Sequence, residues 1–138
     1  MMKLFLSIAV LLAISFASCK DEAYEEVCVC GKGGNLTFIF KPQHHGDPIA
    51  STSTYRDTIY MKYGAQEFPG ADRSNYDAYF VGVPGENEVK VENMRCGIYY
   101  FYGAGYDASI SEVVRGGIPF ITESTSGTIE ITVPVTED

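Results

Sequence analysis

The chain has 138 residues, room for one domain plus a targeting segment. Its 10 basic and 18 acidic residues give a formal charge of −8, with no basic cluster to offset it. A surface of that sign repels phosphate backbones and anionic lipid, which excludes nucleic-acid binding as a working hypothesis.

Met1–Ser18 has the form of a secretory leader. Lys3 supplies the positive start, Leu4–Phe16 is apolar except for Ser7 and Ser15, and the small residues Ala17 and Ser18 follow. The run falls short of the roughly 20 apolar residues that a permanent bilayer-spanning helix needs. Phe16-Ala17-Ser18-Cys19 resembles the lipobox of bacterial lipoproteins, with Phe16 where Leu is usual. The resemblance implies cleavage before Cys19 and lipidation of the Cys19 thiol, so that acyl chains hold the domain on a membrane leaflet. Lys20-Asp21-Glu22 resembles the surface-export signal of Bacteroidota lipoproteins. Two placements on the outer membrane follow, surface-exposed or periplasm-facing. Without Lys3, 9 basic residues stand against 18 acidic ones.

Residues 19–26 read as an acidic tether, and residues 27–138 as the folded domain. Val27–Cys30 reads as a short first strand running into Gly31, Gly33 and Gly34. Asn35–Lys41 alternates, with Leu36, Phe38 and Phe40 on one face, and Pro42 is expected to end it. Gln43–Thr54 reads as a loop. Asp57–Tyr63 alternates with Ile59, Met61 and Tyr63 on one face, and Gly64–Asn75 is a second long loop. Asp77–Val83 is a short strand, and Pro84–Asn87 is a turn by composition. Val89 and Val91 face inward on the next strand, and Asn93–Gly97 turns the chain. Ile98–Tyr102 carries aromatics on both faces, which predicts a strand covered on both sides. Gly103 and Gly105 are expected to break it. Ile110–Arg115 has no clean period, and Ile118–Thr122 is a short strand whose Pro119 points to a sheet edge. Thr128–Val133 alternates cleanly, with Ile129, Ile131 and Val133 inward.

About seven to eight short strands with no useful helical period predict an all-β fold, an antiparallel Greek-key-type β-sandwich. Val91-Glu92-Asn93-Met94-Arg95-Cys96-Gly97-Ile98-Tyr99-Tyr100 resembles the strand, N-L-x-x-G-x-Y, strand unit of transthyretin-like and carboxypeptidase-regulatory-like β-sandwiches. Met94 stands where Leu is usual, and Cys96 where Pro is common. Gly105-Tyr106-Asp107, Gly116-Gly117, Ser126-Gly127-Thr128-Ile129 and Val133-Pro134-Val135 are similar to small Bacteroidota lipoproteins of that fold. The resemblance implies a fold and no activity; neither a hormone channel nor a peptidase site carries over.

Chemistry is sparse. With Cys19 lipidated, Cys28, Cys30 and Cys96 remain in an oxidising compartment. Cys28 and Cys30 share a strand face, so either can pair with Cys96, leaving the other thiol inert. The sharper alternative is a metal site: thiolates of Cys28 and Cys30 with imidazole from His44 or His45 suit Zn²⁺ or Cu⁺. Met61 and Met94 extend a Cu⁺ site or simply fill the core. Ser51, Ser53 and Asp57 lie near the histidines in sequence, but nothing fixes a nucleophile–base geometry, so no enzyme is expected. Ten tyrosines without tryptophan are unusual. Tyr100 and Tyr102 read as core, whereas Tyr60, Tyr63 and Tyr76, around the second long loop, are the candidate binding residues. The expected function is a non-enzymatic binding or accessory module for an extracellular protein or glycan. The alternative is a metal-binding lipoprotein built on the Cys-x-Cys and His-His pairs.

Overall fold

Residues 28–138 are described by a computed structural model. The expected leader (1–18), the lipidation site Cys19 and the tether (19–26) lie outside the described residues. Two four-stranded sheets face each other. In the first, β1 (Lys32–His44) is central. It pairs along its length with β8 (Ser126–Val135) on one side, and with β5 (Val89–Met94) and the two-residue β2 (Asp47–Pro48) on the other. In the second, β4 (Ala78–Val81), β3 (Thr58–Tyr63), β6 (Gly97–Asp107) and β7 (Glu112–Thr122) lie in that order, all antiparallel. The chain is thus an all-β, sandwich-like fold. One pairing departs from the antiparallel expectation: β1 and β8 run parallel.

The period-2 pattern puts Leu36, Phe38 and Phe40 of β1 against Tyr99 and Phe101 of β6. Phe38 meets Tyr99 and Phe101 edge-on at 5.6 and 5.7 Å, and Phe40 meets Phe101 at 4.7 Å. Ile59, Met61, Val89, Val91, Val114, Val133 and Val135 complete a continuous core. Each fully buried side chain of this kind contributes about 1.5–3 kcal/mol, and each aromatic pair about 0.5–1.5 kcal/mol more. Met61 and Met94 are both buried in it, as core filler.

Several expected breaks are absent because tertiary contacts override them. β1 continues through Pro42 to His44: proline removes only a donor, and its carbonyl still accepts the Ile49 N–H at 3.1 Å. Of the expected strand at Val27–Cys30, Val27 lies outside the described residues and Cys28–Cys30 are irregular, and pairing among the described residues starts at Lys32. Gly103 and Gly105 lie inside β6 rather than ending it. A Cβ at Gly105 would stand 2.3 Å from Ile49 Cδ1 and 2.7 Å from Asp57 Oδ1, so packing demands glycine there. β7 is one 11-residue strand in full register with β6, and it is terminal in its sheet, where Pro119 needs no partner on its outer side. Past the end of β8, Thr136 bridges Arg115 of β7 through two backbone hydrogen bonds of 2.8 and 2.9 Å, which ties the two sheets together at that edge.

Candidate functional site

The side of β6 opposite the core carries Tyr100 and Tyr102. Both are buried, at 8 % and 7 % exposure, but not between the sheets as the sequence predicts. They are roofed by the loop joining β3 to β4, which runs back over the outer face of its own sheet. Phe68 of that loop lies 6.0 Å from Tyr100 and 5.2 Å from Tyr102, and Tyr76 stacks on Tyr102 at 5.8 Å and 14°. Tyr60 of β3 sits 5.6 Å from Tyr76 and 6.1 Å from Tyr79 on the edge strand β4.

Local bonds shape the loop. Asp72 caps a single 3-10 turn (Arg73–Asn75) by accepting the Ser74 N–H at 2.9 Å. The Asn75 side-chain amide donates to the Pro69 carbonyl, and the Tyr76 hydroxyl to the Gly70 carbonyl, both at 2.8 Å. Asp77 closes the return: its N–H donates to the Met61 carbonyl and its carboxylate accepts the Tyr63 N–H. Burial, then the neighbouring Tyr102 and Tyr100 hydroxyls, push the Tyr76 phenol well up, so it stays a neutral donor.

Beside this roof a groove of about 310 Å³ is lined by Phe68, Tyr100, Tyr102, Arg115, the Gly116–Gly117 pair and Asp138. The two glycines clear opposite sides of β7. A Cβ at Gly116 would run into the Pro134 carbonyl of β8; one at Gly117 would stand 2.6 Å from the Tyr100 ring. Glycine therefore lets Tyr100 lie across the strand. Arg115 and Asp138 pair at 2.8 Å on the rim. Phe68 is 53 % exposed above them. A depression of about 280 Å³ at the far corner, lined by Val29, Asn35, Arg95 and Cys96 among others, offers a guanidinium but no aromatic ring.

Of the three candidate tyrosines, Tyr60 and Tyr76 join this face and Tyr63 does not. Tyr63 shares the inward side of β3 with Ile59 and Met61, and packs edge-on against Tyr99 at 5.8 Å. The residues missed were Phe68, Tyr100 and Tyr102. Tyr100 and Tyr102 do alternate with Tyr99 and Phe101, the signal of a strand covered on both sides, but alternation does not say what covers the second side.

The cysteines and histidines are not brought together. Cys28 pairs with Cys96, one of the two alternatives left open by the sequence, and Cys30 is the free thiol among the described residues. His44 ends the strand that Cys30 precedes. The separation is on the order of 35–40 Å at about 3.3 Å per residue, so Cys28, Cys30, His44 and His45 form no common metal site. His44 is instead buried between two carboxylates, its Nδ1 2.6 Å from Asp107 Oδ2 and its Nε2 2.5 Å from Glu137 Oε2. Those hydrogen bonds, Asp107 first, hold the imidazole pKa above its usual value. The Ser109 hydroxyl, with His44 next, holds Asp107 down at about 2. Ser51 and Asp57 do lie together, as the Asp57 N–H donates to Ser51 Oγ at 2.9 Å. The Asp57 carboxylate is wholly buried, with neither oxygen hydrogen-bonded among the described residues. Burial, partly offset by the Ser51 hydroxyl, pushes it up to about 6.

A scan against protein-family models, a search of curated proteins and a search of solved structures each found no match to this chain.

Proposed function

We propose that this chain is an envelope-anchored, non-enzymatic lipoprotein whose outer aromatic face captures an extracellular glycan. The observation that carries the reading is Phe68, half-exposed above Tyr100 and Tyr102 beside the Arg115–Asp138 pair. Aromatic rings offer apolar surface to the C–H faces of a sugar, and the rim groups offer directional hydrogen bonds to its hydroxyls. The acidic surface favours a neutral glycan over an anionic one. Anchoring rests on the lipobox resemblance at Cys19. The two-sheet sandwich with paired first and last strands supports the transthyretin-like resemblance at the level of fold.

The test is a titration of the full chain in detergent against an array of neutral and acidic oligosaccharides. Capture of a neutral glycan, weakened about tenfold by Phe68→Ala as expected for one lost stacking contact of about 1–1.5 kcal/mol, supports the reading. Failure to capture any neutral glycan, or capture indifferent to Phe68→Ala and Tyr79→Ala, removes it.

A further inference from the structure

The end of β1 carries a second constellation, separate from the aromatic face. His45 and Gly46 form the two-residue turn between β1 and β2, both at positive φ (51° and 87°), as a tight hairpin with primed-turn twist requires. Asn, Asp or Gly usually occupies the first of these positions; a histidine there carries left-handed strain of about 1 kcal/mol. The turn folds the His45 ring back over His44, centroid to centroid 4.2 Å. His45 Nε2 then lies 3.8 Å from Glu137 Oε2, the same oxygen that His44 Nε2 approaches at 2.5 Å. One ligand atom from each of the three residues falls within 4.8 Å of the other two.

We propose that His44, His45 and Glu137 form a binding site for a divalent transition-metal ion of the Zn²⁺ class, with water in the fourth position. The donor set of two imidazoles and one carboxylate suits Zn²⁺ and contains no thiolate to favour Cu⁺. Zinc bonds of about 2.0–2.2 Å in a tetrahedron place neighbouring ligand atoms about 3.3–3.6 Å apart. The short His44–Glu137 contact opens, and the His45–Glu137 gap closes, by rotation of two exposed side chains, His45 and Glu137. The metal takes the place of the hydrogen bond between His44 Nε2 and Glu137 Oε2.

A second observation points the same way. Asp107 holds the other nitrogen of His44, the carboxylate–histidine arrangement that orients metal-bound imidazoles. Asp107 is itself pinned, because its Oδ1 accepts both the N–H and the hydroxyl of Ser109 at 2.8 and 2.6 Å, leaving Oδ2 for His44. With neutral imidazoles, the carboxylates of Asp107 and Glu137 balance a charge of +2. The ion would clasp Glu137, beyond the end of β8, to the β1–β2 hairpin. Its neighbour Asp138 pairs with Arg115 at the aromatic groove, so the clasp braces the segment that supplies part of that rim.

The test titrates Zn²⁺ into the oxidised full chain in detergent against a chromophoric chelator, with Mg²⁺ as control, and follows the melting temperature in the same samples. Expected are one tightly held Zn²⁺ per chain and a melting temperature that rises with Zn²⁺ and not Mg²⁺. His45→Ala and Glu137→Gln should each weaken uptake about tenfold or more, and the metal-free melting temperature should hold for His45→Ala, which is exposed and removes no hydrogen bond of His44. Asp107→Asn should weaken it by about 10–100-fold with the 1:1 ratio kept, the behaviour of a positioning residue. No stoichiometric Zn²⁺, uptake unchanged by His45→Ala and Glu137→Gln, or uptake lost on Cys30→Ser overturns the assignment.

Discussion

The Tyr99 hydroxyl accepts the Gly31 N–H at 2.8 Å, across 68 residues of sequence, and donates to the Arg95 carbonyl at 2.6 Å. Gly31 in turn accepts the Arg95 N–H at 2.8 Å, so four backbone groups at the disulfide corner, the N–H and C=O of Gly31 and of Arg95, are satisfied around one phenol. Burial pushes that phenol up to about 12, so it remains a donor throughout the working range. Tyr99→Phe keeps the ring packing against Phe38 and leaves the buried Gly31 N–H without its acceptor. The expected loss is about 1–3 kcal/mol in urea unfolding. A midpoint equal to the parent protein's would show that the hydroxyl is dispensable.

The Cys28–Cys96 bond closes a loop of 68 residues in sequence separation. Loop-closure entropy for that length makes it worth about 4 kcal/mol, so Cys28→Ser and Cys96→Ser should each lower stability by that order. Cys30→Ser should leave the melting temperature where it is. Thiol counting on the denatured, unreduced protein checks the pairing directly: among these three cysteines only Cys30 should react. A large loss from Cys30→Ser would mean that the other pairing forms.

Asp57 sets a pH dependence whose sign follows from burial. Its pKa rises from 3.8 to about 6 on folding, so the folded state holds a proton that the unfolded state has released. The stability this contributes is fully present below about pH 4 and lost as pH rises through 6. Asp57→Asn removes the ionising group at nearly constant shape. It should stabilise the protein at pH 7 by up to about 3 kcal/mol, with the advantage over the parent shrinking to nothing below pH 4. Paired denaturation curves at pH 7 and pH 4 measure it. A constant difference between the two proteins would falsify the assignment.

Gly117 and Gly105 are clearance glycines on opposite faces of the second sheet. Gly117→Ala meets the Tyr100 ring and the Phe101 carbonyl, both 2.6 Å from the new Cβ. It should cost about 1–3 kcal/mol and displace Tyr100 into the groove beneath Phe68. Gly105→Ala, pressed between Ile49 and Asp57, should cost a similar amount without touching the aromatic face. Thermal melts read the first effect. Glycan titration separates the two variants, since only Gly117→Ala should impair capture.

Strand existence and inward faces were readable where period-2 alternation is strict, as in Asn35–Lys41, Val89–Val91 and Thr128–Val133. The false breaks at Pro42, Gly103 and Gly105 have a common origin. Local composition signals a turn, but neighbours from other strands impose extended backbone and, at Gly105, need the space. Histidine adjacency and the surplus of tyrosine single out residue types, and neither says which of those residues meet.

By itself, the sequence determined the all-β class, the residues of the core strands and the choice of Cys28 or Cys30 as partner for Cys96. These are consequences of side-chain period and residue chemistry, which are local. Tertiary structure alone decided that Cys28 makes the bond and that Tyr100 and Tyr102 are buried under a folded-back loop. It also brought His44 to Asp107 and Glu137, 63 and 93 residues away. Contacts at such separations depend on which strands pair, and the parallel β1–β8 pairing, set by the burial of both inner faces at once, appears in no single stretch of the chain.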